Sequence, residues 1–334
     1  PAVAKAAMET GVARKSIDID EYREQLAYRQ GQGQQIRYHI MHKAQTAKPN
    51  KRVVFGEGEE LKIIRAAFQV KHEDIADPIL IGNPEKIRAL IADLSLDFDP
   101  EIVDPMNIKR ADDYARVYHE IRQRKGVNLG RAYRLICDPQ ILGPLMVKLG
   151  DADAYVSGLV HHYPEVIRPA LEIHHTHKDS CLVAGVYIMI VNKRVYLFTD
   201  ATVNIEPTSE NLTEIACLAA NFAIQLGLEP RVALLSFSNF GSAEHPLSLK
   251  VREAVRLLKE RVPQLMVDGE MQADTAVVPE IIDEEYPFSE VRDANVLVFP
   301  SLESANVAYK LLNRLGGATT IGPILLGTGA PIHV

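Results

Sequence analysis

The stretch RVALLSFSNFGSAEHPLSLKVREAVRLLKERV, Arg231–Val262, carries the fold in miniature. RVALLSFS is a short apolar run of the kind that forms a strand buried on both faces. NFGSAEH is a loop of small and polar residues. The segment after it repeats apolar residues at helical spacing, with Val251, Ala254, Val255 and Leu258 on one stripe and Pro246 where a first-turn proline fits. Strand, short loop and helix in direct succession build a mostly parallel sheet covered on both faces.

The same alternation extends outward in both directions. KRVVFGEG (Lys51–Gly58) precedes the helical pattern EELKIIRAAFQV, and DPILIGN (Asp77–Asn83) precedes PEKIRALIADL. Further strands are expected at AYRLICD, ADAYVSG, CLVAGVYIMIV, RVYLFTDA and NVLVFPS. The two runs within Leu182–Thr199, joined at NKR, read as a hairpin and mark where a second domain begins. Residues 1–35 are polar and helix-prone, and YRQGQGQQ (Tyr28–Gln35) reads as a linker.

With 334 residues the chain is long enough for two domains. Its 37 basic and 44 acidic residues leave a formal charge of −7, which argues against general binding of nucleic acid or anionic membrane. The longest apolar run is broken by Asn192, Lys193 and Arg194, so no membrane span is expected. Three widely separated cysteines form no disulfide framework and fit a cytoplasmic protein. A start at Pro1, with no signal peptide, is expected of a piece of a longer chain.

Open α/β sheets bind ligands at the carboxyl ends of their strands. The loop of the opening stretch offers Gly241 for close approach, Ser238, Asn239 and Ser242 as donors, and Lys250 as a charge. The start of the helix behind it offers unpaired N–H groups to a phosphate or acyl oxygen. Helix capping and turn formation explain the same serines and asparagine equally well. A second strand–loop–helix, DADAYVSGLVHHYPEVIRPALEI (Asp151–Ile173), ends its strand at Ser157 and Gly158 and carries Arg168, a candidate phosphate clamp or a plain surface arginine. Arg122, Arg124 and Lys125 form a local basic cluster, either a coenzyme wall or a solvated face. His161, His162, His174, His175 and His177 tempt a metal reading, but no carboxylate or cysteine stands at ligand spacing, and no metal site is expected. In DGEMQADTAVV, Asp268, Glu270 and Asp274 are candidate acid–base groups or solvated loop carboxylates.

At SFSNFGSAEHPLSLKVREAV followed by DGEMQADTA, the sequence resembles the phosphate acetyltransferases. The resemblance continues in DADAYVSG, VIRPALEI, FTDATVNIEPTSENLTEIA and ANVLVFPSLESANVAYKLLNRLGGATTIGPILLG, over about residues 50–334. It implies two α/β/α sandwich domains, related to the isocitrate and isopropylmalate dehydrogenases, with acetyl-CoA and phosphate bound in a cleft between them and dimerisation through the second. The expected limits are 36–180 with 320–334 for the first domain and 181–319 for the second. On this resemblance Ser157 and Arg168 fall at phosphate-side positions, Arg122 near the coenzyme, and Ser238, Gly241 and Ser242 on the small-residue loop. Asp274, Asn295, Tyr309, Lys310 and Arg314 match further family positions.

Two departures shape the functional expectation. The family's threonine-rich turn after Ser-Gly is replaced by LVHHYPE, and its Asp-Leu-Ser-Arg-Gly element has no counterpart before Val334. The N-terminal segment VAKAAMETGVARKSIDIDEYREQL (Val3–Leu26) is similar to the end of the catalytic part of large bacterial NADP-dependent malic enzymes. Together these imply a catalytically silent domain that binds acetyl-CoA as an effector and inhibits an upstream malic enzyme using NADP and Mg or Mn. No cofactor is expected in this segment, and its partners would be the upstream domain and further copies of itself. The alternatives are an active phosphate acetyltransferase and a purely structural oligomerisation domain.

Overall fold

The computed structural model describes residues 2–13, 15–19, 22 and 31–334. In chain order it contains α1 (Ala2–Glu9), α2 (Gln32–Thr46), β1 (Arg52–Phe55), α3 (Leu61–His72), β2 (Asp77–Ile81), α4 (Pro84–Asp93), β3 (Glu101–Val103), α5 (Ala111–Arg122), α6 (Leu129–Leu135), α7 (Pro139–Lys148), β4 (Ala154–Val156) and α8 (Tyr163–His174). There follow β5 (Ala184–Val191), β6 (Arg194–Thr199), α9 (Ser209–Gln225), β7 (Arg231–Leu235), α10 (Pro246–Arg261), β8 (Met266–Met271), α11 (Ala273–Val277), α12 (Pro279–Glu285), β9 (Val296–Val298), α13 (Leu302–Arg314), β10 (Thr319–Leu326) and β11 (Ile332–His333). This is a mixed α/β fold.

The chain divides into two compact units, Ala44–Val186 with Gly322–Val334, and Pro1–Lys43 with Tyr187–Ile321. The first holds a five-stranded sheet in the order β11-β4-β1-β2-β3, all of whose pairings are parallel. Side chains alternate across it as the two-residue period of a strand requires. Val54, Ile79 and Ile81 join a core with Tyr114, Leu142, Leu145, Tyr155 and Ile173, while Phe55 and Leu80 join Ile64, Ala67, Ile87 and Ile91 on the other face. The chain adds β2 and β3 on one side of β1, then crosses to place β4 on the other. The order reverses between β1 and β4, the position at which loops leaving neighbouring strands run to opposite sides of such a sheet.

The second unit is built on a six-stranded sheet in the order β10-β5-β6-β9-β7-β8. The expected hairpin is present as the antiparallel pair β5–β6, while β6–β9, β9–β7 and β7–β8 are parallel. Here the order reverses between β7 and β9. One face buries Tyr187, Met189, Phe198, Leu235, Leu297 and Phe299 together. The opening stretch folds as expected, with RVALL as β7 and Pro246 opening α10, whose Val251, Ala254, Val255 and Leu258 are buried.

Two local expectations are corrected. AYRLICD is not a strand: it lies at the end of α6 and the turn after it, because the Asn128 side chain accepts from the Arg131 N–H and starts a helix there. The part of the glycine–glutamine stretch that is described is helical from Gln32, not a linker. Gly33 allows α2 to lie against β5, since a Cβ there would stand 2.7 Å from Ile190 Cγ2, and Gln32 Oε1 accepts from the Val195 N–H at 3.1 Å. Residues 23–30, with parts of the segment compared to malic enzymes, lie outside the described residues. No described helix is long and apolar enough to cross a membrane.

Candidate active site

Three buried carboxylates stand at the carboxyl ends of strands with a parallel neighbour, and each gathers hydrogen-bond donors onto itself. Glu57 follows β1 between two glycines, and both are sterically required. A Cβ on Gly56 would lie 2.4 Å from the Tyr155 hydroxyl oxygen, and one on Gly58 2.7 Å from the Ile81 carbonyl oxygen. The Glu57 side chain is 2% exposed. Its Oε2 accepts from the N–H of Gly158 at 3.1 Å and Leu159 at 2.7 Å. Its Oε1 accepts from Val160 at 3.0 Å, His161 at 3.1 Å and the His161 Nδ1 at 2.8 Å. Burial alone pushes this carboxyl up, but the His161 side chain and the N–H groups of Val160, Leu159 and His161 outweigh it and hold the group below the usual carboxylate range.

Glu270, at the end of β8, plays the same part for the loop of the opening stretch. It is fully buried and accepts from Ser238 Oγ at 3.0 Å, the Gly241 N–H at 2.8 Å, and Arg252 Nε and Nη2 at 3.0 and 3.1 Å. Burial again raises the carboxyl, and Arg252, Gly241 and Ser238 more than reverse it. Asp200, after β6, accepts from the N–H groups of Thr202, Val203 and Asn204 at 2.7–3.1 Å. Glu57, Asp200 and Arg252 were absent from the sequence-level candidates. A carboxylate between glycines at the exit of an apolar strand was the available signal for Glu57.

In the first unit, α8 brings two sequence candidates together. Arg122 and Arg168 line one pocket of 480 Å³, with Pro164, Ile167 and Leu171 as apolar wall and Glu172 and His175 at its edge. Arg122 Nη2 donates to Glu172 Oε1 at 2.8 Å, while its buried Nε has no hydrogen-bond partner among the described residues. Ser157 is 5% exposed and its Oγ is likewise unpartnered. Gly158 adopts φ 105°, a conformation that suits glycine, and its N–H is spent on Glu57.

The second-unit loop differs from expectation in one respect. The start of α10 is capped rather than open: His245 Nδ1 accepts from the Leu247 N–H, and Ser248 Oγ from the His245 N–H. The loop serines and asparagine are tied into the fold as well. Ser238 Oγ accepts from Ala243 N–H, Ser242 Oγ from Asn239 N–H, and Asn239 Oδ1 from Gln272 N–H. Lys250 Nζ donates to the Pro300 carbonyl at 2.9 Å, and burial pushes its ammonium down, so it ties α10 to the loop after β9 instead of standing free for a phosphate.

The remaining candidates lie elsewhere. Asn295 is a strand-entry clamp, its Oδ1 taking the Arg231 N–H and its Nδ2 donating to Glu229 O, both at 2.8 Å. That is the amino end of β7 and β9, opposite the end where ligands collect. Tyr309 stacks on Tyr187 with centroids 4.2 Å apart, Lys310 Nζ stands 5.9 Å from the Tyr309 ring, and Arg314 closes α13. These three share a helix with each other, not with the Ser238 loop. Asp274 is exposed in the first turn of α11 and accepts from the Thr275 N–H. The histidines are dispersed by role: His161 on Glu57, His162 at the cap of α8, His174 Nε2 on the Pro144 carbonyl at 2.8 Å, His175 ending α8, and His177 beside Asp179. Among the described residues no group of three His, Cys, Asp or Glu is placed to hold a metal ion.

The family model described as phosphate acetyl/butaryl transferase matches residues 35–334. A phosphate acetyltransferase of Thermoanaerobacterium thermosaccharolyticum is 42% identical, over 88% of this chain and 91% of its own. A phosphotransacetylase structure from Streptococcus pyogenes superposes with a TM-score of 0.84 at 36% identity, over 89% of this chain and 91% of that one. An NADP-dependent malic enzyme of Escherichia coli is 39% identical along 100% of this chain, which spans 45% of that enzyme's length. The expectation of a catalytically silent oxidoreductase segment is thereby corrected, because relatives named for the transferase activity match nearly end to end. The chain belongs to the phosphate acetyl/butaryl transferase family.

Proposed function

We propose that this protein is a phosphate acetyltransferase, interconverting acetyl-CoA and phosphate with acetyl phosphate and coenzyme A. The observation that carries this reading is the end-to-end likeness to a named phosphate acetyltransferase. The chain's own chemistry supports it. Arg122 and Arg168 converge on one open pocket with an apolar wall, which suits the phosphates and the pantetheine arm of coenzyme A. Buried carboxylates hold the loops at both strand-order reversals, so the ligand would meet pre-organised backbone.

The test is thioester formation from acetyl phosphate and coenzyme A by the purified chain. Turnover within about 1–10³ s⁻¹ supports the reading, and a rate no higher than the uncatalysed background removes it. Arg168→Ala should raise KM for coenzyme A about tenfold or more with a smaller change in kcat, since a charge-assisted contact contributes about 1.5–3 kcal/mol.

A cytoplasmic homodimer is part of the proposal. Val307, Leu311 and Leu315 recur at helical spacing along α13 and just past its end, and are 53%, 52% and 82% exposed. A second copy of the chain would cover that apolar stripe. A second arrangement is favoured by the match of the whole chain to part of a malic enzyme. In it the same transferase fold is carried within a longer polypeptide, and the mass of the natural protein distinguishes the two.

A further inference from the structure

The geometry points to Glu57 and His161 as an acid–base dyad, in which His161 Nε2 takes the proton of the attacking thiol and later returns it to the departing phosphate. The assignment rests on the transferase reading above and adds to it the group that moves the proton. Three observations meet at this pair. First, the Glu57 carboxylate is 2% exposed, whereas the His161 side chain is 41% exposed, so one partner is fixed inside and the other faces outward. Second, the Nδ1–Oε1 distance is 2.8 Å, and an ionised carboxylate only accepts. Nδ1 therefore carries the ring proton, and the basic lone pair is on Nε2. Nε2 makes no hydrogen bond among the described residues. Third, Glu57 leaves β1 and His161 follows β4, the two neighbours between which the strand order reverses, where such sheets bind ligands.

The surroundings fit that tautomer. Four backbone N–H groups hold Glu57, so the carboxylate cannot swing away from the ring. Gln140 Nε2 lies 3.3 Å from the same Nδ1, a longer contact than the 2.8 Å to the charged carboxylate. Gln140 Oε1 is taken by the Tyr155 hydroxyl at 2.7 Å, and burial keeps that hydroxyl protonated. Glu57 is thus the one charged group bonded to the ring.

In the direction of thioester formation, the coenzyme sulfur bonds to the acetyl carbon as its proton passes to His161 Nε2. The carbon–oxygen bond to phosphate then breaks, and the imidazolium gives the proton to the leaving phosphate. Thiol and acetyl phosphate become thioester and hydrogen phosphate, with no other reactant. The buried carboxylate stabilises the transient imidazolium and fixes its orientation.

His161→Asn tests this directly, because the asparagine amide still donates toward Glu57 but holds no base. If it melts within about 3 °C of wild type, its kcat/KM at pH 7 should be about 10²–10⁴-fold lower. The gap should narrow above about pH 8.5, where an ordinary thiol ionises unaided. Adding imidazole to His161→Ala should restore part of the rate, a comparison made within one variant and so independent of modest losses in folding. A His161→Asn rate within threefold of wild type overturns the dyad and leaves the transferase reading standing. So does a loss of equal size at every pH together with no imidazole rescue. An inactive wild type instead removes the transferase reading, and the dyad's reaction with it.

Discussion

Glu57 shows how one side chain fixes a loop. Its five accepted hydrogen bonds all come from residues 158–161, more than a hundred positions away in sequence. Replacing it with leucine leaves four backbone donors facing an apolar group. With about 1–3 kcal/mol for each donor left unsatisfied, and water able to reach some of them, a net loss of about 3–5 kcal/mol is expected, as when a buried ion pair is broken. Glu57→Gln should lose less, since the amide oxygen still accepts while its NH₂ confronts two N–H groups. Urea titration of the two variants checks the order, and equal midpoints for wild type and Glu57→Leu would refute it. Arg252 has a lesser part at Glu270: its side chain is 41% exposed, so Arg252→Ala lets water reach the carboxylate and should cost well under the Glu57→Leu loss.

Helix starts are where local sequence acts most visibly at the scale of elements. Asn83 caps α4, its side chain accepting from the Lys86 N–H at 3.0 Å. Thr208 and Asn211 form a reciprocal box at the start of α9. Asn83→Ala and Thr208→Ala should each cost about 1 kcal/mol, read as a shift in the denaturation midpoint with unchanged slope. α2 is set by contact instead of capping. Gly33→Leu places a side chain where even a Cβ would meet Ile190, and should lift α2 from β5 with a loss of about 1–3 kcal/mol. A Gly33→Leu protein with wild-type stability would mean that this packing contributes nothing.

Acid should destabilise the whole molecule in two stages. Burial pushes His174 and His333 down from their ordinary value of 6.5. Their neutral forms are favoured in the fold, so their share of stability is complete above pH 6.5 and is lost as pH falls below it. Glu57 and Glu270 lie below the ordinary 4.5. Their contribution is complete above about pH 4.5 and is lost as pH falls through the folded value. The melting temperature should therefore decline between pH 7 and 5, then more steeply below pH 4.5. His333→Gln should flatten the first stage, and an unchanged slope would exclude His333 from it. For assembly, light scattering should give twice the chain mass for the wild type and a shift toward one chain for Leu311→Glu. A wild-type monomer at micromolar concentration would rule out the α13 interface.

Alternation of strand and helix was legible because it depends on neighbours in sequence: RVALL, Pro246 and the Val251–Leu258 stripe need no distant partner. Short strands such as β3, β8 and β11 were not, since EIV, MVDGEM and IH carry too few apolar residues to declare themselves. Among the site candidates, Arg122 and Arg168 were named from sequence, but only packing placed α5 and α8 so that both reach one pocket. Asn295 and Lys250 presented ligand-like groups, yet the fold spends them on backbone partners. By itself, then, the sequence determined an α/β chain with loops of small residues where a ligand could sit. Tertiary structure decided which loops are held rigid and by what. Neither the place of Glu57 between glycines nor that of Glu270 among loop carboxylates announces a loop anchor in a row of letters, and Asp200 gives no signal at all, because a carboxylate's role depends on the donors brought to it. The fold brings them to Glu57 from residues 158–161 and to Glu270 from the Ser238 loop and α10, whereas Asp200 takes its own from the turn that follows it.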